Sequence, residues 1–440
     1  MDIAADKSIR STGEAGLCCF CGACEGLCPT GAISLNTGGT FPVPVVDPAR
    51  CNQCGLCSRV CPGMAIDFDS LNQDIFSRRD VDYILGEYRE MFVGAATDQT
   101  ARQGRTSGGL AKEIAIWGLE AGLWQGAAVS KLEAGFPRPV SFIATSKADV
   151  ESAGSSLYCP VPICSLLGRL KDFPGKVCVV GLPCHLAAIR KAQRELPHLR
   201  EKIAFTVGLF CSGTPGYDAT EAFLRFHGIS RQQVASFAYR WRGWPGDIRV
   251  ETADGRIRNF PRGKAAGLGD RLRFAACFQR RGAFAARRCL LCPDHTAELA
   301  DVSLGDPWHK AYRSDKLGLT AAIVRSPQAG SILGQMVTAG RIFLEKIDAT
   351  RLLESQQACL ASKKRIGVAI KVFCTAGRAV PVYTHQPDLP CNMWDRLSAR
   401  FEQVQTSLAR RRRLWWLLPM LAVIMAWLRR KSSRSLRQNP

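Results

Sequence analysis

Apolar positions along this chain recur with two periods. Between residues 126 and 210 they come as short runs bounded by Gly, Pro or charge. Gly126-Ala127-Ala128-Val129-Ser130, Phe142-Ile143-Ala144-Thr145, Lys176-Val177-Cys178-Val179-Val180-Gly181 and residues 203–210 have strand length. Elsewhere the period is helical. Apolar residues at 110, 114, 117 and 121 lie on one face of a helix, and a second helix is expected to begin near His185. Residues 300–308 read as another short strand running into a loop. Strand and helix in alternation predict an α/β body. Residues 1–17 are small and polar, a loose arm by pattern. Residues 73–100 are mixed and charged, which predicts a linker with some helix around Val81–Met91.

Residues 18–61 obey neither period, and cysteine organises them instead. Cys18-x-x-Cys21-x-x-Cys24-x-x-x-Cys28-Pro29 returns 33 positions later as Cys51-x-x-Cys54-x-x-Cys57-x-x-x-Cys61-Pro62. The Ala32-Ile33 pair returns with it as Ala65-Ile66, so a half-module has been duplicated. Three thiolates at this spacing can hold three corners of an iron–sulfur cube, and the fourth cysteine of each run closes the other cube. The expected sets are Cys18, Cys21, Cys24 and Cys61 for one 4Fe–4S cluster, and Cys51, Cys54, Cys57 and Cys28 for the second. Each proline turns the chain into a short strand, residues 32–35 and 65–68. Zinc usually takes two separated CxxC pairs and not triplets closed by Cys-Pro. A disulfide framework would need an oxidising compartment. The pattern predicts an α+β two-cluster ferredoxin-like module over 18–72.

Composition adds two constraints. Twenty cysteines in a chain with no apolar signal segment near Met1 imply a reducing, cytoplasmic setting. The net charge of +21 points first to nucleic acid, but residues 410–440 hold eight Arg, one Lys and no acid. The rest shows no basic stripe interleaved with aromatics, so no nucleic-acid partner is expected. Outside the module, Cys184 and Cys211 each follow a predicted strand, where open α/β sheets place functional groups, and Cys289-x-x-Cys292 supplies a further pair. These four suit a third cubane, and they equally suit small buried apolar side chains. Thr106-Ser107-Gly108-Gly109 opens a helix. Such a loop binds phosphate through free N–H groups and the helix dipole, or simply caps the helix.

The ordered set of Thr106-Ser107-Gly108-Gly109, Gly181-Leu182-Pro183-Cys184-His185, Gly208-Leu209-Phe210-Cys211, Cys289-x-x-Cys292 and residues 300–308 resembles the coenzyme F420 hydrogenase and dehydrogenase beta-subunit family. That family also includes reductases of tetrapyrrole side chains. The resemblance covers residues 90–345 and implies an α/β flavin-binding body. In it FAD would lie beside a third 4Fe–4S cluster held by Cys184, Cys211, Cys289 and Cys292, with Thr106, Ser107, Gly108, Gly109 and Asp306 near the flavin. It implies an iron–sulfur flavoprotein oxidoreductase that exchanges electrons with ferredoxin or another redox protein. Its substrate would be a deazaflavin coenzyme or a tetrapyrrole side chain. The alternative is a non-catalytic electron-transfer subunit of a membrane-associated redox complex or a polysaccharide-biosynthesis system. No GxGxxG follows a strand, so no Rossmann nicotinamide site is expected. The other eight cysteines, Cys19 and Cys359 among them, are expected to be buried or incidental thiols.

The resemblance ends before the C-terminus. A helical extension is expected over 346–409, then a basic tail over 410–440. Leu414–Leu428 is an apolar stretch of fifteen residues between Arg410-Arg411-Arg412-Arg413 and Arg429-Arg430-Lys431, too short for the ~20 that a spanning helix needs. With Trp415, Trp416 and Trp427 in it, the stretch predicts a peripheral anchor on an anionic membrane surface at the cytoplasmic face.

Overall fold

A computed structural model describes residues 9–279, 282–364, 366–384 and 393–434. Its centre is an eight-stranded sheet in the order Ile342–Ile347, Glu90–Ala96, Thr320–Val324, Val302–Gly305, Ile203–Leu209, Val177–Gly181, Gly126–Leu132, Pro139–Ala144. The strands from Val302–Gly305 to Gly126–Leu132 run parallel, and antiparallel strands close both sides. Parallel strands are covered on both faces, which is why Val177-Cys178-Val179-Val180 is a continuous apolar run without alternation.

One face is covered by helices Leu110–Glu120 and Pro327–Thr338, around a core that includes Ile114, Trp124, Phe205 and Leu333. The other face carries helix Pro183–Glu195 and the 3-10 segment Ile163–Leu170. The N-terminal module docks there, and its Leu27, Val60 and Leu71 belong to the same core as Leu166, Leu186 and Ile189.

That docking is a backbone contact. Helix Ala23–Gly26 lies so close to Ile163–Leu170 that a Cβ on Gly168 would strike the Gly26 carbonyl oxygen. A Cβ on Gly26 would come within 2.6 Å of the Ser165 carbonyl oxygen. The Cys164 N–H donates to the Cys21 carbonyl at 2.8 Å. Buried Arg288 donates to the Pro62 and Gly63 carbonyls, both at 2.9 Å, and the Lys191 ammonium donates to the Cys61 carbonyl at 2.5 Å.

Three local expectations change. Residues 81–91 do not form a helix: the Asp82 carboxylate accepts the Ile84 and Leu85 amides in a turn, and Glu90–Ala96 is an inner strand that buries Met91, Val93 and Ala95. The strand expected over 65–68 stops at Ile66, because Asp67 accepts the Ser70 N–H and caps helix Phe68–Phe76. The arm is packed from residue 9 onward, with helix Arg10–Glu14 and buried Ile9, Thr12 and Leu17. At Met91 and at Ile9 burial overrode the expectation from local composition, whereas at Asp67 a polar helix cap ended the strand.

A smaller core forms where strands Val234–Trp241, Asp247–Thr252 and Ile257–Phe260 pack with helices Tyr217–Phe226 and Leu268–Phe278 around Phe223, Tyr239 and Phe278. Helices Ala349–Lys364, Ile366–Thr375, Met393–Ala409 and Leu418–Arg434 follow.

Candidate redox site

The duplicated module brings its cysteines together as two unequal sets. Cys18 lies within electrostatic reach of Cys21 and Cys61, and Cys24 within reach of Cys21, Cys61 and Cys57. This inner set could hold one cube. Burial pushes the Cys18 and Cys24 thiols up and that of Cys61 up to about 12, so thiolates here require a positive partner such as bound iron. Backbone N–H groups of Phe20, Gly63 and Ala32 donate to the sulfurs of Cys18, Cys61 and Cys28 at 3.3, 3.2 and 3.3 Å. Cys28, Cys51 and Cys57 lie partly buried beside Ile9, Ile33 and Val46, while Cys54 is exposed. None of the described cysteines is in a disulfide. Among the described residues, no three His, Cys, Asp or Glu side chains converge on one ion-sized point. A cube with a thiolate at each of four corners does not ask for that.

The third set is assembled from distant elements at the carboxyl side of the parallel strands. Cys184 is the second residue of helix Pro183–Glu195, its thiol pushed up chiefly by the hydrogen bond with Cys19 and then by burial, and Cys211 follows strand Ile203–Leu209. Cys289 sits in helix Arg287–Leu290 with Cys292 just beyond it. Cys211 is within reach of Cys289 and Cys292, and Cys184 of Cys211. The Thr214 N–H donates to Cys289 Sγ at 3.4 Å. Exclusion of water pushes the Cys211 thiol up to about 12 and raises that of Cys289. The convergence of these four cysteines suits the cationic core of a cluster.

Two residues that composition alone marks as ordinary belong here. The Cys19 thiol hydrogen-bonds Cys184, the contact that chiefly lowers it to about 7, so it bridges the inner set and the third set. Lys363 is only 4% exposed, and its ammonium is drawn to Cys292, Cys211 and Cys289. Cys359 contacts Ser212 Oγ at 3.2 Å. Of the other thiols expected to be buried or incidental, Cys159, Cys164, Cys178 and Cys277 are buried. Cys374 is exposed and Cys391 lies outside the described residues.

Ser107 and Asp306, both expected near a flavin, meet each other. Ser107 Oγ donates to Asp306 at 2.5 Å, Arg240 donates to Asp306 at 3.0 Å and to Ser107 Oγ at 2.8 Å, and Trp244 Nε1 donates to Asp306 at 3.0 Å. The Trp244 ring stands 5.1 Å from that of Trp308, which is 44% exposed. The pair could offer a stacking surface at the rim. A bridge joins this network to the third set. His295 lies 3.0 Å from the Cys211 carbonyl and 3.1 Å from Gln356 Oε1, and Gln356 Nε2 donates to the Asp306 carbonyl at 2.6 Å.

Gly108 and Gly109 need a structural explanation before a ligand-based one. Both have positive φ, at 75° and 78°. A Cβ on Gly108 would meet Gly94 O, Ala95 Cβ and Thr320 Oγ1, each at 3.0 Å. Thr106 precedes this turn without a side-chain cap bond, and Gly109 caps helix Leu110–Glu120.

Sequence reasoning does not single out Arg240, Trp244, His295, Gln356, Lys363 or Cys19. The one signal in the chain is the i, i+3, i+7 spacing of Gln356, Cys359 and Lys363, which sets all three on one face of Ala349–Lys364.

Two family models match this architecture. Both describe the coenzyme F420 hydrogenase/dehydrogenase beta subunit, its amino-terminal part over residues 91–168 and its carboxy-terminal part over 175–350. The chain belongs to that family. A "4Fe-4S dicluster domain" matches residues 17–65, so the family body carries an iron–sulfur module ahead of it. The coenzyme F420 hydrogenase subunit beta of Methanothermobacter thermautotrophicus is 25% identical over 65% of this chain and 98% of its own length. That of Methanosarcina barkeri is 26% identical over 65% and 96%. The coenzyme F420-dependent sulfite reductase of Methanocaldococcus jannaschii is 25% identical over 78% of this chain, which spans 49% of that protein. A solved F420-reducing NiFe hydrogenase complex from Methanosarcina barkeri contains a chain of the same fold. Its TM-score is 0.53 at 22% identity, covering 68% of this chain and 98% of that one. The protein is an iron–sulfur member of an oxidoreductase family of electron-transfer subunits.

Proposed function

We propose that this chain is an FAD-containing iron–sulfur oxidoreductase that exchanges single electrons with a redox protein and two electrons with an organic substrate. The observation that carries the reading is continuity. The exposed cysteine set abuts the inner set, Cys19 links the inner set to the third, and His295 with Gln356 links the third to Ser107 and Asp306. When bound, 4Fe–4S clusters carry electrons singly and a flavin exchanges one or two, so such a series interconverts the two kinds of transfer. The chain's own part is spacing, exclusion of water and N–H donation to sulfur. Arg240, buried and paired with Asp306, holds that carboxylate beside Ser107 and leaves the Trp244–Trp308 rim for a planar group.

A deazaflavin coenzyme is the favoured substrate class, because several relatives carry coenzyme F420 in their names, and a tetrapyrrole side chain is the other. A non-catalytic relay within a larger complex is favoured by relatives named as subunits. The redox partner would be ferredoxin or a similar carrier meeting the surface at Cys54, and the chain would work at the cytoplasmic face of a membrane. Anaerobic reconstitution should give about twelve iron atoms per chain and one extractable FAD. Eight iron atoms, unchanged in a Cys289→Ala variant, would remove the third cluster. An iron-replete protein that yields no FAD would sink the flavin reading alone. Reduction of the coenzyme by the isolated chain would decide between enzyme and relay.

A further inference from the structure

Helix Leu418–Arg434 is apolar on two opposite faces. Leu418, Met425 and Leu428 are buried, and the helix packs against Leu268–Phe278 and Met393–Ala409. At 100° per residue, Met420, Val423, Ile424 and Trp427 point the other way, and they are 63, 51, 45 and 49% exposed. Trp416, just before the helix, is 66% exposed. A helix that only packs on a globular body carries polar residues outward. Here the outward face is bare hydrocarbon and indole.

The patch continues onto the preceding helix. Trp394 meets Trp427 edge-on at 5.3 Å, and the Lys431 ammonium lies 5.9 and 5.8 Å from the two rings. Met393, Leu397 and Val404, which share a face of Met393–Ala409, are 62, 40 and 52% exposed. The exposed charge around it is basic, Arg396 and Arg400 on helix Met393–Ala409 and Arg411 and Arg413 before helix Leu418–Arg434. Lys431 follows Trp427, and residues 410–440 contain no acid. No helix is long and apolar enough to cross a membrane among the described residues.

We infer that this two-helix face is a docking surface for an anionic lipid bilayer. Met420, Val423, Ile424 and the tryptophans would enter the headgroup–acyl boundary, and the flanking basic residues would meet lipid phosphates. This deepens the peripheral placement proposed above and replaces a free apolar anchor with one exposed face of a packed hairpin. An apolar face and a basic rim are the two signals that stable interfacial binding takes. A protein partner would find this charge pattern less suited, since all the flanking charge is of one sign.

The test is flotation of the full, cluster-loaded chain with vesicles of phosphatidylcholine alone or mixed with phosphatidylglycerol. Partition should be about tenfold stronger on the mixed vesicles and should fall in high salt. The double variant Val423→Asp/Ile424→Asp should lose flotation with its visible spectrum and melting temperature unchanged, because both positions are exposed. Arg411→Glu/Arg413→Glu should lose only the preference for anionic lipid. Absence of flotation, or equal flotation of the Asp variant, would overturn the inference. So would a wild-type dimer that the Asp variant converts to monomer, since a second copy would then cover the face. Iron and flavin content of the same samples separates this outcome from failure of the redox reading.

Discussion

The two halves of the cysteine repeat are identical in cysteine spacing and unequal in the folded protein. The inner set has Cys21, Cys24 and Cys61 buried, and the module presses its first helix onto the body through glycines. The other set keeps Cys54 exposed, with Cys28, Cys51 and Cys57 only partly covered. Duplication supplied two equivalent cradles, and docking made one of them internal and left the other near the surface. The difference also sets which half lies nearer the third cysteine set, because Cys19, beside the inner set, hydrogen-bonds Cys184.

Replacing Gly168 by Val should break this asymmetry most strongly. The added side chain strikes the Gly26 backbone, and overpacking there should cost about 3 kcal/mol and unseat the module. Its two cluster spectra would persist while electron exchange with the third site slows in stopped-flow measurements. Gly39→Ala, where only the Phe41 carbonyl lies near at 3.9 Å, should do nothing.

Next come the ligands. Cys24→Ala and Cys54→Ala should each lower iron from about twelve atoms to about eight. Only the buried Cys24 change should also lower the melting temperature, by several degrees. Equal destabilisation by both would deny the inner and outer distinction.

Lys363→Met sharpens the comparison from the other side. Losing a buried ammonium beside Cys211, Cys289 and Cys292 disfavours the added electron, so the third cluster's potential should fall by about 60 mV, a tenfold step for one electron. Redox titration followed by electron paramagnetic resonance would show it, with the outer cluster unmoved.

The smallest effect is expected from Arg59→Ala, which removes an exposed ion pair to Glu195 between module and body. A change in unfolding free energy of about 0.5 kcal/mol would fit a module held by its backbone contact. A large loss would shift that role to surface charge.

Much of the redox architecture was legible because its signals are local. Metal-ligand spacing within ten residues of chain survives without knowledge of the fold, and so does the apolar run of a parallel strand. The expected helix at 81–91 failed for the opposite reason. The charged residues up to Glu90 mask the apolar run over 91–96, which becomes an inner strand through neighbours on both sides of the sheet. Gly108 reads in sequence as part of a ligand loop, whereas the close approach of Gly94, Ala95 and Thr320 already demands a glycine there.

By itself the sequence determined the duplicated cysteine module, the alternating α/β body and the order of family motifs, since these rest on spacing along the chain. Tertiary structure alone decided which half of the repeat faces inward. It also decided that Arg240 and Trp244 hold Asp306, and that, from a helix extending past the matched region, Lys363 reaches Cys211, Cys289 and Cys292 while Gln356 joins His295 to the Asp306 carbonyl. The tail shows the same division. Fifteen apolar residues between basic clusters are visible in the chain, but which face stays bare depends on what the body covers. Contacts between residues far apart in sequence have no period to read. They exist only once burial has chosen one packing among many that the same local pattern allows.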